Sequence, residues 1–473
     1  MSHWHWPIIT TLAFSWALIA AGVILLQRRS AAATLAWLLV LVLLPGVGLI
    51  IYRLLGPLRL KRKRLRRRLG RRVVEDALSA MATLRAAGPN ELQLARVPIA
   101  MREAPPLHAR AIDLYTDGAS TYAAIFAAIQ AARQHVHLEY YIFEPDQIGT
   151  QLRDLLIQKA RAGVTVRLLI DGTGSSRLGR RFLRPLRDAG AQVAWFNPLS
   201  LRWIRTRRVD FRTHRKIVVC DGVVAFTGGM NVADVHSAQL SPKHWRDTHM
   251  RIAGAAVLSI QRIFIEDWYF ATAQLPPQTS DLFPVRDDVV GEHVVQIVAS
   301  GPDHDFMTIR DSYFTAITRA VSRVWLTTPY FVPDEAIAAA LCTAAMRGVD
   351  VRLLLPVRGD SRLIDLAARS YVPELIASGV KVYEYLPRFI HAKTIVIDDD
   401  LAIVGTANLD NRSFRLDFEL TALVFDRAFT ARLADAFLAD LGDSRIMDAA
   451  SRAHLSLFRR LGEASARLLS PLL

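Results

Sequence analysis

Two uninterrupted apolar runs open the chain, residues 8–27 (IITTLAFSWALIAAGVILLQ) and 31–55 (AAATLAWLLVLVLLPGVGLIIYRLL), with Arg28, Arg29 and Ser30 between them. Each is long enough for a hydrocarbon core, which takes about 20 apolar residues, so the pattern predicts a two-helix transmembrane hairpin. Beyond it the rhythm changes to short β-branched or leucine-rich runs alternating with helical spacing. VTVRLLI (164–170) and VRLLL (351–355) each follow a helix closed by Gly163 or Gly348, the signature of strands in a sheet covered on both faces. The pattern also repeats. IFAAIQAA (125–132) matches YFTAITRA (313–320), VHLEYYIFEPDQIG (136–149) matches VWLTTPYFVPDEAI (324–337), and ARAGVTVRLLID (160–171) matches AMRGVDVRLLLP (345–356). Each half reads helix, strand, helix, strand, which predicts a duplicated α/β body. Breakers and charges concentrate at 274–292, and a looser break falls at 86–107. The expected division is a hairpin at 1–57, a basic juxtamembrane linker at 58–106, and two similar domains at 107–280 and 281–473.

Charge changes this picture by its location. The formal net charge is +15 over 473 residues, and eleven cations between Arg53 and Arg72 follow the second apolar run, against two arginines in the hairpin loop. That asymmetry places everything after the hairpin in the cytoplasm. The run KRKRLRRR (61–68) reads as a contact with anionic headgroups rather than with nucleic acid, because it adjoins a span. The N-terminus lacks the basic start and short apolar region of a cleaved signal peptide. Cys220 and Cys342 are the two cysteines, without metal-ligand spacing, which supports neither a disulfide framework nor a zinc site.

The chemistry sits in a second repeat. THRKIVVCDGVVAFTGGMN (213–231) and IHAKTIVIDDDLAIVGTAN (390–408) align without a gap, pairing His214, Lys216, Asp221, Gly228 and Asn231 with His391, Lys393, Asp398, Gly405 and Asn408. Each reads as strand, turn, strand. On an extended segment a histidine and a lysine two positions apart share a face. Asp221 and Asp398 fall at the turns, which suits support rather than direct chemistry. The pairs Gly228-Gly229 and Gly405-Thr406 allow close backbone approach, and the Asn231 and Asn408 amides are suited to donating to phosphate oxygens. Two such sets brought together supply a nucleophile, an opposing general acid/base and paired cations for a phosphoryl centre.

The doubled His-x-Lys-x4-Asp-x6-Gly-x2-Asn pattern resembles the phospholipase D superfamily. EYYIF, HWRDTH (244–249), TPYFVPDE, FIHAKT, GTANLDNRSF and LLSPLL, with the apolar hairpin, resemble the bacterial cardiolipin synthases within it, over essentially the whole chain. The resemblance implies two pseudo-symmetric phospholipase D-type α/β sandwich domains with the active site at their interface. It implies a catalytic set of His214, Lys216, Asp221, His391, Lys393 and Asp398, with His214 as nucleophile and His391 as acid/base. Asn231, Asn408, Gly229 and Thr406 would bind substrate, and Asp247 and Glu419 would orient the imidazoles. Gly229 and Thr406 depart from the serine of many relatives. No metal or cofactor enters this scheme. The expected partners are phosphatidylglycerol and the membrane, not nucleic acid, and the expected location is the bacterial inner membrane with cytoplasmic catalytic domains. The expected reaction makes cardiolipin and glycerol from two phosphatidylglycerols. The alternatives are phosphatidylethanolamine as co-substrate, a hydrolytic phosphodiesterase or nuclease, and an inactive scaffold, which would degrade one motif copy.

Three peripheral features stay open to two readings. LRWIRTRR (201–208) reads equally as an interfacial or a surface loop. LSLFRRLGEASARLLSPLL (455–473) reads as an amphipathic helix, for which core packing is the commoner fate. Tyr140, Tyr141, Tyr330 and Phe331 follow strands and suit either substrate lining or core.

Overall fold

In the computed structural model, the β-branched runs of each half form the strands the pattern predicts, and both halves build the same sheet. The structure describes residues 91–198, 211–276, 282–284, 291–448 and 455–470, with 31–44 and scattered positions between 11 and 52. The first apolar run, the basic run 61–68, the loop 201–208 and most of the boundary 274–292 thus lie largely or wholly outside the described residues. Within the second run, Ala31–Leu43 is helical. Among the described residues no helix is long and apolar enough to cross a membrane.

The first sheet runs in the spatial order Ala111–Tyr115, His249–Ala253, Val224–Gly228, Ile217–Cys220, His135–Tyr140, Thr165–Asp171, Gln192–Phe196. The second repeats it as His293–Ser300, Glu419–Phe425, Leu401–Gly405, Thr394–Ile397, Arg323–Thr327, Asp350–Pro356, Lys381–Tyr385, and adds Leu107–Ala109 and Ser444–Ile446 at its two edges. In each sheet the three strands joined by helices are parallel and the motif hairpin is antiparallel, so the sheets are mixed. Strand alternation explains the two-sided burial. Val136, Leu138 and Tyr140 join Ile125, Ile129, Leu152 and Leu156 in one core, while His137 faces the opposite way and stacks on Phe264 of the helix Val257–Thr272 at 4.5 Å.

One expectation is corrected. The segment read as the end of a linker contains the helix Glu91–Ala100, whose Leu94 and Ala95 sit in the core of the second half, and Leu107–Ala109 pairs antiparallel with His293–Val295. Residues 91–109 therefore belong structurally to the second half, because Leu94 and Ala95 are buried there. The repeated Phe-x-Pro-Asp is also structural. Asp146 and Asp334 cap the helices that follow, accepting from Gly149 N at 3.0 Å and Ile337 N at 3.0 Å.

The C-terminal helix Leu457–Leu468 departs from the core-packing expectation. It turns Glu463 and Ala466 inward, with Ser470 buried just past its end, and leaves Leu457, Phe458, Leu461 and Leu468 exposed.

Candidate active site

His214 and His391 lie just before the strands Ile217–Cys220 and Thr394–Ile397, not on them, in segments that bridge to the opposite half. His214 N donates to Phe418 O at 2.9 Å, and His391 N donates to Arg246 O at 2.7 Å. Phe418 precedes Glu419 and Arg246 precedes Asp247, so each backbone bridge delivers a carboxylate to the other half's imidazole.

The pairing is crosswise. His214 Nδ1 donates to Glu419 Oε1 at 3.0 Å and lies 3.1 Å from the Thr406 carbonyl; His391 Nδ1 donates to Asp247 Oδ2 at 2.7 Å, with the Gly229 carbonyl as its backbone partner. A carboxylate only accepts, so Nδ1 carries the proton in both rings and Nε2 is the nitrogen left for chemistry. Lys216 Nζ donates to the His214 carbonyl at 2.6 Å, and Lys393 Nζ to the His391 carbonyl. Both lysines and both carboxylates are buried.

Burial dominates the electrostatics. It drives His214 down to about 4, with Glu419 opposing the shift and Lys216 adding to it. His391 is held well below the ordinary imidazole value by burial and by the charges of Lys393 and Lys216. Burial also lowers Lys216 to about 7 and Lys393 to about 8. Glu419 is pushed up by burial, but His214 and Lys216 outweigh this and hold it below its ordinary value. The result is two neutral imidazoles beside two lysines whose burial loosens their ammonium protons. A bound phosphate would restore the lysine and imidazole protons. Binding of inorganic phosphate at pH 7.5–8 is therefore expected to take up protons, seen by calorimetry as an enthalpy that varies with the buffer's ionisation heat. A buffer-independent enthalpy would contradict this electrostatic picture.

Asn231 and Asn408 follow the same symmetry. Their backbone N–H groups donate to His236 Nε2 at 3.1 Å and to Ser413 Oγ at 3.2 Å, and the Asn231 amide oxygen accepts from Ile142 N at 3.2 Å. Gly229 and Thr406 are placed differently from the substrate contacts expected of them. A Cβ at Gly229 would sit 2.0 Å from Asp247 Oδ1, and the Thr406 hydroxyl donates to Glu419 while accepting from Leu420 N at 2.9 Å. Both positions lie behind the orienting carboxylates.

Asp221 and Asp398, expected in the catalytic set, are not at this site. They occupy the hairpin turns with φ of 53° and 47°, seven residues and roughly 23 Å of extended chain from their histidines at about 3.3 Å per residue. Asp221 accepts from Arg133 N, Gln134 N and His135 N at 2.7–2.8 Å; Asp398 accepts from Val321 N, Ser322 N and Arg323 N at 2.7–3.1 Å. Each carboxylate locks the helix-to-strand loop of its half. Burial pushes Asp398 up, but the amide donors together outweigh it and hold its carboxyl below the ordinary value. Its stabilisation is thus full above about pH 3.9, the unfolded value, and lost as pH falls through the lower folded one. Asp221→Ala and Asp398→Ala are expected to lower stability by about 1–3 kcal/mol in denaturant unfolding while the folded protein keeps its turnover. Lost turnover at unchanged stability would return these residues to the chemistry.

Sequence reasoning missed His236, which holds Asn231, and Arg215, whose guanidinium pairs with Asp267 and donates to the carbonyls of Glu419 (3.1 Å) and Ser300 (3.2 Å). The adjacency of Arg215 to the motif was its only signal. Among the aromatics, the Tyr141 ring stands 5.1 Å from His214, and Trp245 and Phe389 stand 5.0 and 5.8 Å from His391. Tyr140 and Phe331 are core.

The chain is similar to known proteins over nearly its whole length. The family described as "Cardiolipin synthase, PLD-like domain" matches residues 125–257 and 313–441, and the phospholipase D-nuclease N-terminal family matches 16–57. A cardiolipin synthase of Alkalihalophilus pseudofirmus is 38% identical over 481 residues, covering 99% of this chain and 95% of that protein. One from Geobacillus thermodenitrificans is 38% identical over 491 residues, covering 100% and 96%. The crystal structure of phosphatidylserine synthase from Haemophilus influenzae superposes with a TM-score of 0.62 at 15% identity, over 80% of this chain and all of that one, a likeness of fold.

Proposed function

The chain belongs to the cardiolipin synthases of the phospholipase D superfamily, and on that premise we propose that it transfers a phosphatidyl group between two phosphatidylglycerol molecules, yielding cardiolipin and glycerol. The observation that carries this reading is the crosswise site, in which each half's carboxylate holds the other half's histidine.

In the first step His214 Nε2 attacks phosphorus, forming a P–N bond as the P–O bond to the headgroup glycerol breaks. With the donor's phosphate bound, His391 takes up a second proton at Nε2 and gives it to the departing alkoxide, returning to its neutral form. In the second step His391 takes the proton from the acceptor's headgroup hydroxyl, whose oxygen forms the new P–O bond as the P–N bond breaks. Lys216 and Lys393, both buried, balance the charge that gathers on the phosphoryl oxygens, and burial strengthens that balance. Glu419 and Asp247 keep Nδ1 protonated and favour the imidazolium that each ring passes through. One phosphodiester replaces another, so the exchange needs no external energy source.

The apolar runs, the basic flank and the family match over 16–57 support an N-terminal hairpin in the bacterial cytoplasmic membrane, with the two catalytic domains on the cytoplasmic side. The domains are taken as 107–280 and 281–473, with the helix Glu91–Ala100 ahead of them packed into the second.

The test is a time course with the purified full chain on labelled phosphatidylglycerol. Cardiolipin and glycerol in equal amounts are expected. Phosphatidic acid as the main product would make the protein a hydrolase instead.

A further inference from the structure

The helix Leu457–Leu468 is amphipathic in the reverse sense to an ordinary surface helix. The side turned to the protein carries small and polar groups, Glu463, Ala466 and Ser470, with the Tyr371 hydroxyl bonded to Ser470 at 3.1 Å. The outward side carries Leu457 (67% exposed), Phe458 (87%), Leu461 (55%) and Leu468 (81%). At about 100° per residue, Leu457, Leu461 and Leu468 fall within roughly 40° of one another, directly opposite the inward residues, and Phe458 flanks them. Helices that end in water place such residues inward, so this face is built for a second medium.

We propose that this helix lies in the interface of an anionic phospholipid bilayer, with its apolar face in the acyl region and its inner face on the protein body. The cations choose the occupant. Arg460 and Arg467 stand on the rim between the two faces, where long side chains reach headgroup phosphates while the leucines stay in hydrocarbon. Arg467 also stacks on Tyr371 at 4.4 Å and pairs with Glu374 at 3.5 Å, which fixes the helix to Arg362–Ala377. The helix's sole acid, Glu463, is turned inward, so the outward face carries nothing that repels anionic headgroups. A protein partner would have to bury this apolar stripe and also answer the rim arginines, whereas anionic lipid does both at once. The inference rests on the proposed reading in taking phospholipid as the substrate-bearing surface, and it gives that reading a second membrane contact besides the N-terminal hairpin. Such a contact would hold the second half against the surface from which both substrates come.

The test uses nitroxide labels on the full chain in phosphatidylglycerol-containing vesicles. Cys220 and Cys342 are both buried, so Phe458→Cys and Leu461→Cys label selectively, with the exposed Asp188→Cys as the aqueous control. Labels at 458 and 461 are expected to be reached several-fold better by oxygen than by a nickel chelate, the reverse of 188. Aqueous accessibility at 458 and 461, or spin–spin broadening that dilution with unlabelled protein removes, would overturn the proposal; the latter would mean a second copy covers the face. The same labelled proteins are assayed on phosphatidylglycerol in detergent micelles. Cardiolipin formed there without insertion in vesicles overturns the helix assignment alone, and insertion without cardiolipin formation in either system overturns the catalytic reading alone.

Discussion

Replacing His214 with Ala is expected to abolish transfer from every donor, whereas His391→Ala is expected to lose about 10²–10⁴-fold from phosphatidylglycerol and recover its first step on a donor whose leaving group departs without a proton. The reason lies in the two roles. A nucleophile forms the bond to phosphorus and nothing replaces it. A general acid matters in proportion to how badly the leaving group needs a proton, and p-nitrophenolate needs none. With a phosphatidyl p-nitrophenyl ester, His391→Ala should release about one equivalent of nitrophenolate in a burst and then stall, since no base is left to activate the acceptor hydroxyl. His214→Ala should give no burst. The opposite pattern would exchange the two roles, and full activity in either variant would exclude a two-histidine mechanism.

Neutralising the orienting carboxylates should follow the crosswise pairing and not the order of the chain. Glu419 is in the second half but holds His214, and Asp247 is in the first but holds His391. Removing such a carboxylate's charge leaves the geometry nearly intact, yet it frees the imidazole to take the wrong tautomer and withdraws support from the imidazolium, a loss of roughly 10²–10⁴-fold in turnover. Glu419→Gln is therefore expected to behave like His214→Ala, without a burst from the activated donor. Asp247→Asn is expected to behave like His391→Ala, with the burst kept. Pre-steady-state kinetics on the activated donor reads both. A burst lost in Asp247→Asn and kept in Glu419→Gln would show that each carboxylate serves the histidine of its own half.

The duplication, the α/β class and the paired His-x-Lys motifs were legible because they are local: a repeated run of residues folds into a repeated run of elements whatever surrounds it. The reading failed where the partner of a residue is distant in the chain. Asp221 and Asp398 share a motif with the histidines, but a hairpin strand carries them to the other end of the sheet, where backbone amides some 75 to 88 positions away claim their oxygens. Gly229 and Thr406 look like ligand contacts in sequence and stand behind carboxylates in space.

By itself the sequence determined that there are two half-sites, which side chains they carry, and that two apolar runs and a cationic flank precede them, since periodicity, composition and spacing are properties of neighbours along the chain. Only the tertiary structure decided which carboxylate holds which histidine, that residues 91–109 complete the second half, and that the last helix turns its leucines outward. Those choices are made by burial and backbone bridging between segments remote in sequence, and a carboxylate or a leucine carries no mark of the remote surface it will meet.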